Sequence, residues 1–142
     1  MKKLISLLLS VAVSILTCVT AFAAVPARNN DQVAPCYEIT RETVVTLTIS
    51  GTSGKCESLV KGYSDVSQIV IEQTLQKQGL FWIWSDVDGA SWTKTFYSSA
   101  AKVTNTKSGL DSGTYRLKTV FKLTASDGTT ETITAYSDES NI

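Results

Sequence analysis

The chain contains no histidine, and that absence removes much of the usual nucleophilic chemistry at once. Ser-His-Asp and Cys-His arrangements need an imidazole to take the proton of the nucleophile. Cysteines stand at 18, 36 and 56, with no Cys-x-x-Cys spacing to suggest a redox or zinc site. Carboxylates remain, at Glu72, Asp86, Asp88 and Glu131 among others. Glycoside hydrolysis needs two of them converging on one bond, one with a raised pKa, and no spacing here brings a pair together. Asp86-Val87-Asp88-Gly89 alternates carboxylates as a calcium loop does, yet it lacks the third oxygen donor and the distal Glu. A solvated turn accounts for it. The expectation is a protein that is not an enzyme, with no cofactor and no metal.

Binding chemistry is better represented. Leu80–Val87 reads as an aromatic strand, Leu-Phe-Trp-Ile-Trp, followed by Asp88-Gly89, the strongest two-residue hairpin signal, and a return over Ser91–Tyr97. In that register Phe81, Ile83, Trp92 and Phe96 share one face, and Leu80, Trp82, Trp84 and Tyr97 the other. Both faces are apolar. Flat rings on a sheet stack against sugars or centre a protein interface, so Trp82, Trp84 and Tyr97 are the candidate ligand-binding residues. The competing reading buries them as core.

The elements that position these rings are strands. Lys2 and Lys3, an apolar run to Val19 and Ala21-Phe22-Ala23 make residues 1–23 a signal peptide, followed by a polar arm over 24–35. Thirteen basic residues balance thirteen acidic ones. Loss of Lys2 and Lys3 with the leader leaves eleven against thirteen, a net charge of −2. No basic stripe remains for nucleic acid, and no stable membrane span follows cleavage. Thr43–Ser50 alternates Val45, Leu47 and Ile49 with polar residues. Lys55–Gly62 sets Cys56, Ser58 and Val60 on one side, and Val66–Gln78 sets Ile69, Ile71 and Leu75 together. Ser98–Gly109 reads as irregular, with Val103 as an anchor. A long strand then places Tyr115, Leu117, Thr119, Phe121 and Leu123 inward, and Ser126-Asp127-Gly128-Thr129 turns it back through Thr130–Tyr136. Residues 139–142 form a polar tail.

Two further features bear on the fold. Cys36 and Cys56 survive cleavage, and an even pair in an exported protein reads as a disulfide. Bonded cysteines need Cα atoms within ~7 Å, which calls for a chain reversal near Thr40-Arg41-Glu42. Asp111-Ser112-Gly113-Thr114-Tyr115 has the chemistry of a tyrosine corner. Asp111 closes a turn, Gly113 adopts angles other residues resist, and the Tyr115 hydroxyl bonds back to the backbone upstream.

Thr74-Leu75-Gln76-Lys77, Trp92 with Lys94, Ser112-Gly113-Thr114-Tyr115-Arg116 and Glu131-Thr132-Ile133-Thr134-Ala135-Tyr136-Ser137, in that order, resemble a group of small secreted proteins from Gram-positive bacteria, a family of unknown function. The resemblance covers roughly Cys56–Asp138. It implies an Ig-like sandwich and export, and carries over no catalytic residue. The Phe81–Trp84 cluster is richer in aromatics than the group, so its role belongs to this chain.

Together these readings predict an all-β, antiparallel, Ig-like Greek-key β-sandwich of about seven strands over residues 36–138. The expected function is that of a secreted, extracellular, non-catalytic binding module for cell-wall glycan or a protein partner. A small secreted effector or toxin-like protein is the alternative.

Overall fold

A computed structural model describes residues 37–142. The leader, the arm and Cys36 lie outside the described residues. Among the described residues eight strands follow in order: β1 (Thr40–Ser50), β2 (Ser53–Gly62), β3 (Val66–Gln78), β4 (Trp84–Phe96), β5 (Ala100–Lys107), β6 (Thr114–Ala125), β7 (Thr130–Tyr136) and β8 (Ser140–Asn141). They form two antiparallel sheets. One has the order β1-β2-β5, and the other β4-β3-β6-β7, with β8 added to the start of β6. The protein is an all-β sandwich.

Period-two alternation decides which side chains meet between the sheets. From β2 come Cys56, Ser58 and Val60, from β3 Ile69, Ile71, Gln73 and Leu75, and from β6 Tyr115, Leu117, Thr119, Phe121 and Leu123, all buried. The β1–β2 hairpin turns on Gly51 at φ 56°. At the β6–β7 hairpin the Asp127 side chain accepts the Thr129 N–H at 2.8 Å. The carboxylate of Glu131 on β7 accepts from the N–H of Glu38 (3.0 Å) and the hydroxyl of Thr40 (2.6 Å), tying the start of β1 to the opposite sheet.

The interior is two apolar clusters with a polar belt between them. Val60, Ile69, Ile71, Phe121, Leu123 and Ile133 belong to one cluster. Leu47, Cys56, Leu75, Leu110, Tyr115 and Leu117 belong to the other. At the belt Gln73 donates to Ser58 Oγ at 2.7 Å and accepts from Asn105 Nδ2 at 2.8 Å. The Ser58 hydroxyl also shares a hydrogen bond with Thr119 Oγ1 at 2.8 Å. Four strands, two from each sheet, are joined by these three bonds.

Two expectations are corrected here. Residues Ser98–Gly109 are not irregular, because β5 pairs with β2 from Gly54↔Lys107 to Lys61↔Ala100 and buries Ala101 and Val103. The reversal near Thr40-Arg41-Glu42 is not formed either. β1 runs through it with a bulge at Arg41, and the Tyr63 N–H bonds to Ile39 O at 3.0 Å. Ile39 thus sits opposite a residue seven positions from Cys56, roughly 23 Å along a strand. The expected partner of Cys56, Cys36, lies outside the described residues. Cys56 is a free, fully buried thiol. Burial pushes its pKa up to about 11, since the apolar surroundings disfavour the thiolate.

Thr119→Val keeps the shape of the side chain but removes the Ser58 hydroxyl's partner across the sheets. It is expected to cost about 1–2 kcal/mol and lower the urea midpoint by about 0.5–1 M; an unchanged midpoint would show that the belt does not hold the sheets. The Cys56 thiol, neutral in the fold, contributes stability present below the unfolded thiol pKa and lost as pH climbs towards 11. The wild-type urea midpoint should therefore fall more steeply between pH 9 and 11 than that of Cys56→Ala. Parallel slopes would contradict the buried neutral thiol.

Candidate binding surface at a hairpin tip

The aromatic segment folds differently from the sequence expectation. β4 does not turn at Asp88-Gly89. It runs from Trp84 to Phe96 beside β3, pairing Gln78 with Trp84 at one end and Ile69 with Phe96 at the other. Asp88-Gly89 falls within a bulge. Between the pairs Thr74↔Ser91 and Gln76↔Asp86, β3 spends one residue where β4 spends four. Gly89 takes φ 63° there, and Ala90 is tucked into the core. The bulge answers the same need for positive φ that an Asp-Gly turn would.

The actual turn of this hairpin is Gly79–Ile83. Gly79 N–H bonds to Ile83 O at 2.7 Å and Ile83 N–H to Leu80 O at 3.3 Å. Phe81 and Trp82 occupy the two central positions, both at φ 58°. Positive φ at both positions is the signature of a type I′ turn, whose usual residues are Asn and Gly. Bulky aromatics there cost of order 1–3 kcal/mol each. The pairing of β3 with β4 imposes that conformation, and its result is that the apolar side chains project from the end of the sandwich. Leu80 is 83% exposed, Phe81 84%, Trp82 79% and Ile83 62%.

Trp84, the first residue of β4, is half-buried and committed elsewhere. The Arg116 guanidinium lies 4.2 Å from its ring centre and 4.3 Å from that of Tyr136. Arg116 Nε donates to Gln76 Oε1 at 2.9 Å, and Gln76 Nε2 donates to Asp86 Oδ1 at 2.8 Å. This ring–cation–ring stack braces the base of the hairpin on the outer face of the sheet. Tyr97 is exposed but follows the far end of β4, roughly 33 Å from Trp84 by the rise of the β3 residues paired between them. The candidate trio of Trp82, Trp84 and Tyr97 is therefore not a single platform. Trp82 stands at the tip, Trp84 in the stack and Tyr97 at the other pole. Leu80, Phe81 and Ile83 join Trp82 instead; their sequence signal was the apolar character of both hairpin faces, which a half-buried strand does not show.

The corner residues lie at the tip's end of the sandwich. Tyr115 is buried, and its hydroxyl donates to Asp111 O at 2.7 Å. Gly113 adopts φ 153°, and a Cβ on it would meet Lys77 Cε at 2.6 Å. A cleft of about 240 Å³ opens beside them, lined by Lys77, Ser85, Asp86, Val87, Lys107, Gly109, Leu110, Asp111 and Tyr115. Its two lysines face two aspartates. Elsewhere, Lys55 and Lys102 hold the Glu57 carboxyl below the usual range, and the Thr129 backbone N–H does the same for Asp127. Neither shift goes in the direction a general acid requires.

No protein-family model and no curated protein matches the chain. Among solved structures, OgpA from Akkermansia muciniphila is similar over 74% of this chain at 12% identity, with a TM-score of 0.38. Catalytically inactive OgpA in complex with an O-glycopeptide substrate is similar over 75% at 13% identity, with a TM-score of 0.36. The chain spans about a third of OgpA, 32% of its length in both cases. Likeness at that level assigns no function.

Replacing Phe81 by Asn and Trp82 by Gly puts the favoured residues into the turn. The double variant is expected to be more stable than the wild type by about 1–2 kcal/mol, raising Tm by roughly 5–10 °C in thermal unfolding. A lower Tm would mean that the two aromatics support the fold.

Proposed function

We propose that this protein is an exported, non-catalytic binding module that engages its target at or outside the cell surface through the hairpin tip Leu80–Ile83. One observation carries the reading: four consecutive large apolar side chains stand in solvent on a turn whose conformation disfavours them. Natural turns of this type use small polar residues because those fold best. A sequence that forgoes that stability and exposes a contiguous apolar patch has the marks of a contact site. The braced base, with Trp84 and Tyr136 on either side of Arg116, gives the tip a firm support. Export is supported by the leader pattern, and the lack of histidine favours binding over catalysis.

Labelled protein should be retained by intact cells or cell-envelope fractions of the organism that encodes it. The variant carrying Phe81→Asn and Trp82→Gly should be retained at least tenfold less while unfolding no earlier than the wild type. Equal retention of the two proteins would remove the tip from the binding site.

A further inference from the structure

We infer that the target of the tip is the surface of a lipid bilayer, into which Leu80, Phe81, Trp82 and Ile83 insert to the depth of the headgroup–acyl boundary. The inference rests on the reading of the tip as the contact element and names what it contacts.

Shape comes first. The tip is the convex end of a two-stranded hairpin, closed by the bonds Gly79 N–Ile83 O and Ile83 N–Leu80 O, so it offers neither groove nor flat platform. A folded partner would have to supply a matching hollow, whereas the boundary of a bilayer closes around any protrusion. Polarity comes second. In Gly79–Ile83 the indole N–H of Trp82 is the sole side-chain hydrogen-bonding group. A glycan presents hydroxyls that need partners, and ligand sites combine apolar walls with placed polar groups. Leu, Phe, Trp and Ile without charge are the residues that enter the membrane interface, where the Trp ring is buried and its N–H stays wet.

Depth is limited, because a turn leaves peptide groups uncovered and such groups do not enter hydrocarbon. Gly79–Ile83 carries no charged side chain, so insertion is driven by apolar contact rather than by attraction to anionic headgroups.

The test uses unilamellar vesicles of phosphatidylcholine alone. Wild-type protein should sediment with them and its tryptophan emission should shift to the blue, with quenching by lipids brominated near the top of the acyl chain. The shift should change less than twofold between 0.05 and 0.5 M NaCl, and the variant with Phe81→Asn and Trp82→Gly should partition at least tenfold less. No sedimentation and no shift with wild-type protein would overturn the inference, as would equal partitioning of the variant. The cell experiment separates the two levels. If cells retain wild type, release the variant and vesicles bind neither, the tip stands as the contact and lipid as its target falls. If cells retain the variant too, both fall.

Discussion

The amide of Gln73 is the point on which this sandwich is aligned. It lies fully buried between two sheets, giving a proton to Ser58 and taking one from Asn105, while Ser58 passes the chain of bonds on to Thr119. A buried amide without partners costs far more than the bonds gain, so the belt works chiefly by excluding other registers. Sliding β3 by two residues would drive Gln73 into the place of Ile71 or Leu75, among apolar side chains with nothing to bond. Sliding it by one would turn the whole strand inside out. Apolar contacts hold the sheets together; the belt dictates where they meet.

The hairpin inherits that alignment. β3 carries Gln73 through the middle of the sandwich and runs on to Gln78, where the tip begins. On its inner side Lys77 pairs with Tyr115 across to β6, and on its outer side Gln76 joins Arg116 and Asp86. The strand is thus gripped on both faces within the last turn-length before it leaves the sheet. A conformation as unfavourable as two left-handed aromatics persists only where the surroundings over-determine it, and these grips are the surroundings. The corner at Asp111–Tyr115 and the added strand β8 close the same end.

Much of the fold was legible because strand parity is a local property. The inward sets Val45-Leu47-Ile49, Cys56-Ser58-Val60, Ile69-Ile71-Leu75 and Tyr115-Leu117-Phe121-Leu123 follow from alternation alone, and Asp127-Gly128 turned where its sequence said. Asp88-Gly89 has the same dipeptide and did not turn. Asp and Gly announce that a backbone can adopt positive φ, and whether this makes a hairpin or a bulge depends on the partner strand, which is not local. β5 is hard to read from sequence because its inward positions are Ala101, Val103 and the half-buried Asn105, small or polar residues with a weak apolar rhythm. The tip escaped for the opposite reason: Leu-Phe-Trp-Ile is what a buried strand looks like, and nothing in residue type marks a turn built against its own preferences.

The bulge at Val87–Ala90 has one more consequence. β4 is an edge strand of the larger sheet, and an edge presents a row of free N–H and C=O groups on which another chain can crystallise as an additional strand. Four residues set against one break that row near its middle and twist it out of plane. Polar Asp86 and Lys94 stand on either side, further unsuited to stacking against a neighbour. A protein that displays an apolar finger at one end is exposed to self-association along its flank as well. The interruption in β4 keeps the flank from becoming a template for fibres.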